Sequence, residues 1–306
     1  MAFEALSQIL AICQKESIDF AEAVLREDSK DRLVDREASI RQMTAMWESM
    51  CDASDSYDVS RKSNSGLVGG AGGVMADYVA AGNTLCGDAM GRVIAQALQM
   101  GESNACMKRI VAAPTAGACG VLPAVLIPLF EETRQDCTSS APAAEASVLT
   151  EDDFVLSLFV AAGIGQVIAT RASIAGASGG CQAEIGSASA MAAGALVFLR
   201  GGSYDAIVQS AAMSLKNLLG LVCDPVSGLV EVPCVKRNVI GAVNAMSAAD
   251  MALAGIKSMI PADQVVDAMK EVGDLMDVSL RETGRGGLAA TREAIEITKK
   301  IQGISK

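Results

Sequence analysis

Residues 150–171 read Thr150-Glu-Asp-Asp-Phe-Val-Leu-Ser-Leu-Phe-Val-Ala-Ala-Gly-Ile-Gly-Gln-Val-Ile-Ala-Thr-Arg171. Thr150 suits an N-cap and Asp153, three residues on, completes the pattern of a capping box, so a helix is expected from here to about Arg171. Working outward toward the C-terminus, further helical stretches are expected at 184–199, 204–219, 239–258, 262–278 and 291–301, with Pro261 where a proline opens a helix. Toward the N-terminus, Ile9, Ile12 and Cys13 recur at helical spacing, and Ile40, Met43, Trp47 and Met50 form a second apolar stripe. Residues 1–52 therefore read as an amphipathic helical segment opening a single domain of residues 1–306. Breaks are expected at 52–65, where Asp55, Ser56, Asp58 and Ser60 mark a loop, and at 136–147, rich in Ser, Ala and Pro. Neither a strand–helix alternation nor a fixed-period repeat is evident, so the expected fold is mainly α, a compact helical domain with Gly-rich connecting loops.

Composition agrees. The chain is 51% hydrophobic but only 3% aromatic, with 29 glycines, and small side chains let helices pack closely. A net charge of −11 argues against a nucleic-acid or anionic-membrane partner, which would require a basic patch. The longest uncharged run, 110–130, contains Pro114, Pro123 and Pro128 with Gly117 and Gly120, which disfavours an unbroken helix through lipid. The N-terminus lacks the basic and apolar regions of a signal peptide, so the nine cysteines read as reduced cytoplasmic thiols. There is no histidine. A Ser-His-Asp or Cys-His hydrolase is thereby impossible within this chain, and any metal must be held by thiolate or carboxylate.

Three of the cysteines lie in turn-like sequence: Gly179-Gly180-Cys181-Gln182, Cys223-Asp224-Pro225 and Val232-Pro233-Cys234-Val235. Gly and Pro hold backbone in tight turns and can aim a thiolate outward from a helix. Three such thiolates meeting at one point would suit an iron–sulfur cluster with one iron left open for a substrate. Their spacings, 42 and 11 positions, match neither zinc-finger nor ferredoxin patterns, so spacing alone favours buried structural thiols over a metal site. The other six, Cys13, Cys51, Cys86, Cys106, Cys119 and Cys137, read as small buried hydrophobes.

Three Gly/Ser/Thr-rich segments stand between the helices: Lys62-Ser63-Asn64-Ser65-Gly66-Leu67-Val68-Gly69-Gly70, Ala113-Pro114-Thr115-Ala116-Gly117-Ala118-Cys119-Gly120 and Gly284-Arg285-Gly286-Gly287. Such segments expose N–H groups and hydroxyls suited to a carboxylate, although the glycine pattern alone favours tight helix connections. The run Gly69–73 follows no strand and is not a dinucleotide fingerprint, and no phosphate-binding lysine loop is present.

Ala113-Pro-Thr-Ala-Gly-Ala-Cys-Gly120, Gly179-Gly-Cys-Gln-Ala-Glu184, Cys223-Asp-Pro-Val226, Val232-Pro-Cys-Val-Lys-Arg-Asn238 and Glu282-Thr-Gly-Arg-Gly-Gly-Leu288 resemble, in order, the signature segments of iron–sulfur-dependent L-serine dehydratases. Length and content are similar to the alpha chain of the two-chain form. The resemblance implies a [4Fe-4S] cluster on Cys181, Cys223 and Cys234, and conversion of L-serine to pyruvate and ammonia without pyridoxal phosphate. It also implies a beta-chain partner. The family's Ser-Ser-His-Thr-containing segment is missing here, as is a terminal cysteine able to cap the open iron. Ser63, Asn64, Ser65, Gly66, Thr115, Ala116, Gly117, Arg285 and Gly286 would then orient the substrate, with Lys62, Lys236 and Arg285 as carboxylate partners or, for a lysine, a base. The base is otherwise expected on the beta chain. Alternatives are a related cluster-dependent cysteine desulfidase and a non-catalytic iron–sulfur sensor, which has no obvious need of the glycine-rich loops. A pyridoxal-phosphate enzyme is disfavoured because no α/β pattern surrounds a candidate lysine.

Overall fold

The structure, a computed structural model, describes residues 3–136 and 149–303. Beyond its first residue, the break expected at 136–147 lies outside the described residues, as does Cys137. The mainly α expectation holds. Among the described residues, thirteen α-helices are joined by short 3-10 and π turns, and the single ladder contact is a parallel bridge between Cys223 and Arg281.

Three amphipathic helices open the chain: α1 (Leu6–Glu16), α2 (Phe20–Arg32) and α3 (Arg36–Asp55). Asp19 and Asp35 cap α2 and α3 by accepting from Glu22 N at 2.7 Å and Ala38 N at 2.6 Å. The predicted stripe of α3 faces inward. Trp47 is fully buried, stacked on Phe154 at 5.4 Å and edge-on to Phe130 at 5.3 Å. Next come α4 (Ala71–Ala80), α5 (Gly87–Ala105), α6 (Val121–Asp136) and α7 (Glu151–Arg171). Helix α7 opens with the anticipated capping box, Thr150 N donating to Asp153 Oδ2 at 2.7 Å. Four-residue α8 (Gly176–Gly179) leads through a π-helical turn, Gln182–Gly186, into α9 (Ser187–Leu199). Then follow α10 (Tyr204–Asn217), α11 (Cys234–Leu253), α12 (Ala262–Leu275) and α13 (Arg292–Ile301).

Helix α9 is the axis. It packs against α6, α7, α10 and α11, and every residue of Ser-Ala-Ser-Ala-Met-Ala-Ala-Gly-Ala-Leu-Val-Phe-Leu except Phe198 is buried. A helix apolar on all sides has no solvent face to offer and must sit centrally. Its small side chains set the spacing: a Cβ on Gly194 would come within 2.2 Å of Ile164 Cδ1 of α7. Both α7 and the 182–199 stretch are long and apolar enough to cross a membrane by length and composition. Their most apolar windows are 67% and 89% buried inside the protein.

One boundary differs from expectation in a way that matters for the site, and the 110–130 run is interrupted as its prolines and glycines suggest. Helix α11 begins at Cys234, five residues earlier than expected, directly after a cis Val232–Pro233 peptide. The 110–130 run is divided: a cis Ala113–Pro114 peptide, a 3-10 turn at Ala116–Ala118, then α6 from Val121. Cys234 thus opens α11, while Cys181 opens the π-helical turn that leads into α9.

Candidate metal centre

Each of the three turn-borne cysteines is fixed by its own backbone device. Before Cys181, Gly180 adopts φ +74°, and a Cβ there would lie 2.8 Å from Leu221 O, so only glycine serves. Gln182 then locks the turn: its N–H donates to Leu221 O at 2.9 Å, its Nε2 donates to Met269 O at 2.9 Å, and its Oε1 accepts from Gly220 N at 2.9 Å. Cys223 sits on an extended strip paired with residues 280–282, its N–H donating to Leu280 O at 2.8 Å and its carbonyl accepting from Glu282 N at 2.7 Å. Cys234 is the first residue of α11. Asn238, one turn on, donates to Cys234 O at 3.0 Å and Gly117 O at 2.9 Å and accepts from Gly120 N at 2.8 Å.

These devices bring the sulfurs of Cys181 and Cys223 and a carboxylate oxygen of Glu184 within 4.8 Å of one another. Cys234 is outside that group but close to it; burial, with charge on Cys181 and Glu184, pushes its thiol up to about 12. A bond from the Cys223 thiol holds Cys181 below its ordinary pKa, and Arg237 adds to the effect. The same bond, together with burial, pushes Cys223 up. Burial raises Glu184, opposed by Thr115 Oγ1, which donates to its Oε1 at 2.7 Å. Arg237 projects from α11 one turn past Cys234. Its guanidinium donates to Cys181 Sγ at 3.4 Å, Val222 O at 2.6 Å and Asp224 Oδ1 at 2.8 Å. Three buried thiols with an adjacent cation to offset thiolate charge form a donor set suited to a thiophilic metal or a cluster.

The sequence-predicted substrate residues gather around this centre in part. Thr115 reaches Glu184, and the loop 284–288 carrying Arg285 and Gly286 lies on the Cys223 turn, where Leu288 N donates to Asp224 Oδ2 at 2.7 Å. Ser63 and Ser65 both donate to Glu231, Ser63 Oγ at 2.9 Å, so their hydroxyls serve the fold. Asn64, Gly66, Ala116 and Arg285 are exposed; Gly117 and Gly286 are half-buried. Lys62 and Lys236 are both exposed; Lys62 Nζ donates to Gly69 O at 3.3 Å. The helix N-terminus following the 62–70 segment already holds a carboxylate of the chain itself. Glu102 accepts from Ala71 N at 2.8 Å, Gly72 N at 3.1 Å and Tyr57 Oη at 2.7 Å. Of the remaining described cysteines, Cys13, Cys106 and Cys119 are buried as expected, whereas Cys51 is half-buried and Cys86 exposed.

Sequence reasoning gave no role to Glu184, Asp224, Glu231, Arg237 or Asn238. Four of them lie inside the quoted motifs, within four residues of a turn cysteine, and that adjacency was the available signal. Glu231 stands just outside its motif, three residues before Cys234.

Fold and site together define a helical protein in which buried thiols and the half-buried Glu184 carboxylate form a group that could hold a metal. The family model described as "Serine dehydratase alpha chain" matches residues 15–289. Among curated proteins, the chain is 42% identical to "Probable L-serine dehydratase, alpha chain" of Bacillus subtilis (strain 168), covering 98% of this chain and 96% of that one. It is 39% identical to "L-serine dehydratase, alpha chain" of Peptoniphilus asaccharolyticus, covering 95% and 96%. A longer relative, "L-serine dehydratase" of Streptomyces coelicolor, is 43% identical over 66% of this chain but only 42% of its own length. The chain belongs to the serine dehydratase alpha-chain family, a family of lyases.

Proposed function

We propose that this chain is the cluster-binding subunit of a two-chain enzyme that dehydrates and deaminates L-serine to pyruvate and ammonia. The observation that carries the reading is the convergence of Cys181 and Cys223 with Cys234 close by, in a chain of this family. Cys181, Cys223 and Cys234 would hold a [4Fe-4S] cluster, and the donor set fits: three buried sulfurs from three separate segments, with Arg237 beside them. When bound, such a cluster supplies Lewis acidity at an iron free of protein ligand, which weakens the C–O bond of a substrate hydroxyl.

The chain's own residues would then bind and orient. Arg285, exposed on the loop against the Cys223 turn, and Asn64 are available for the substrate carboxylate, as are backbone N–H groups of the 115–117 turn. Ser63, Ser65 and Thr115 act one step removed, since their hydroxyls hold Glu231 and Glu184. Removal of the α-proton is assigned to the partner chain. This chain has no histidine, Lys62 is bound to a carbonyl, and Lys236 is exposed on α11. The alpha-chain names of the full-length relatives, and the longer relative that this chain covers by 42%, support a separate beta chain.

The test is anaerobic purification with assay of iron, acid-labile sulfide and visible spectrum. Pyruvate release is then measured from serine, threonine and cysteine, with and without a co-produced beta chain. Cluster content near one per chain and serine turnover only with the partner are expected. A chain that binds no iron overturns the cluster reading, full turnover by the chain alone overturns the dependence, and a preference for cysteine reassigns the substrate.

A further inference from the structure

Three carboxylates beside the turn cysteines share one geometry, among them Glu184, whose oxygen lies within 4.8 Å of the Cys181 and Cys223 sulfurs. Glu184 follows Cys181 by three residues on the π-helical turn and accepts from Thr115 of the 113–120 segment at 2.7 Å. Asp224 follows Cys223 directly and accepts from Leu288 N, at the end of the 284–288 loop, at 2.7 Å. Glu231 precedes Cys234 by three residues and accepts from Ser63 at 2.9 Å and from Ser65, both on the 62–70 segment. Through these three carboxylates each cysteine-bearing segment therefore grips a different Gly/Ser/Thr-rich loop, and Asn238 of α11 adds a second hold on the 113–120 segment at Gly117 and Gly120.

The donors are the hydroxyls of Ser63, Ser65 and Thr115 and the N–H of Leu288, on segments that carry at most a short 3-10 turn. Asp224 and Glu231 are 3% and 7% exposed. Glu231 O accepts from Val235 N at 3.0 Å, which ties its own backbone to the first turn of α11. Asp224 is further held by Arg237, whose other nitrogen reaches Cys181 Sγ. A carboxylate bond to hydroxyl or N–H is among the stronger hydrogen bonds, and it is directional. Its strength at the loop depends on how firmly the carboxylate end is fixed.

We infer that Glu184, Asp224 and Glu231 are positioning residues that transmit cluster occupancy to the three substrate-facing loops, one carboxylate to one loop. This rests on the cluster reading above. Ligation of the sulfurs immobilises the three turns, the turns immobilise the carboxylates, and each carboxylate then holds its loop in the binding conformation. Loss of the cluster would loosen all three loops together, whereas loss of one carboxylate would loosen only its own.

Amide hydrogen exchange on the full chain, compared with and without reconstituted cluster, tests the inference. Loading is expected to slow exchange at 63–69, 115–119 and 284–288. In the loaded chain, Glu231→Ala should restore fast exchange at 63–69 alone, and Thr115→Val at 115–119 alone. With the beta chain present, both should raise KM for serine by severalfold more than they lower kcat. If Glu231→Ala fails to fold, the double substitution Ser63→Ala and Ser65→Ala breaks the same link from the loop side, with iron content unchanged. A loaded chain whose loops exchange as in the cluster-free chain, or a variant that loosens all three loops, overturns the coupling alone. A chain that takes up no iron overturns the cluster reading and the coupling together.

Discussion

Replacing Arg237 by methionine probes the electrostatic brace beneath the centre. Arg237 and Asp224 form an ion pair at 2.8 Å whose side chains are 14% and 4% exposed. Removing one partner of a buried pair costs about 3–5 kcal/mol because the other charge is left uncompensated. Asp224 keeps its bond from Leu288 N, which favours the lower end, near ~3 kcal/mol. Val222 O also loses a 2.6 Å donor; it is half-buried, so water recovers part of that bond and the further loss is about 1 kcal/mol. The sum, about 4 kcal/mol, is roughly a thousandfold in the folded-to-unfolded ratio. It is a large share of the ~5–15 kcal/mol typical of a domain. Urea denaturation of the cluster-free chain, followed by fluorescence of the single and fully buried Trp47, would measure it. The double variant Arg237→Met with Asp224→Asn removes the stranded charge and should recover more than half of the loss. Equal instability of the single and double variants would refute the argument, as would a loss under ~1 kcal/mol for Arg237→Met.

Three further outcomes follow from the same geometry. Among the described cysteines, alkylation near neutral pH should label exposed Cys86 ahead of Cys13 and Cys119, because burial holds these at about 11 and about 12, leaving them as unreactive thiols; peptide mass spectrometry showing Cys119 labelled as fast as Cys86 would contradict this. Iron uptake should strengthen as pH rises, since Cys234 is held at about 12 and Cys223 is also pushed up, so their protons must leave on binding; chelator competition giving the same affinity at two pH values a unit apart would disprove it. Gly180→Ala forces a side chain into a backbone conformation (φ +74°, ψ −176°) essentially reserved for glycine, costing about 1–3 kcal/mol, and adds a clash with Leu221 O at 2.8 Å. It should lower iron content while far-ultraviolet circular dichroism is unchanged, and normal iron content would show that the turn does not aim Cys181.

The helices were legible where a cap or a stripe announced them. Thr150 with Asp153, and the Ile40 to Met50 stripe, need only neighbours three or four residues away, and α7 and α3 appeared accordingly. Helices α4 and α5 were not anticipated. Two glycines and a valine follow Ala71 in the first turn of α4, all weaker helix formers than alanine, and that turn is satisfied by Glu102, some thirty residues away. The early start of α11 was hidden for a similar reason: Val232-Pro-Cys reads locally as a turn, and only packing against α5 and α9 extends the helix to Cys234.

By itself, the sequence determined a mainly helical chain without histidine, three cysteines in Gly and Pro contexts, and a motif order shared with the serine dehydratase alpha-chain family. Those are properties of residue type and short spacing, which local backbone preference and composition express directly. Only the tertiary structure decided which groups meet. Cys181 and Cys223 lie 42 positions apart, yet their sulfurs fall within 4.8 Å of each other and of Glu184. It also decided that Ser63 and Ser65 are engaged by Glu231 instead of standing free, across more than 160 positions. The reason is physical. A hydrogen bond or a ligand set depends on distance in space, and that distance is set by how α9 and α11 pack, which no window of sequence contains.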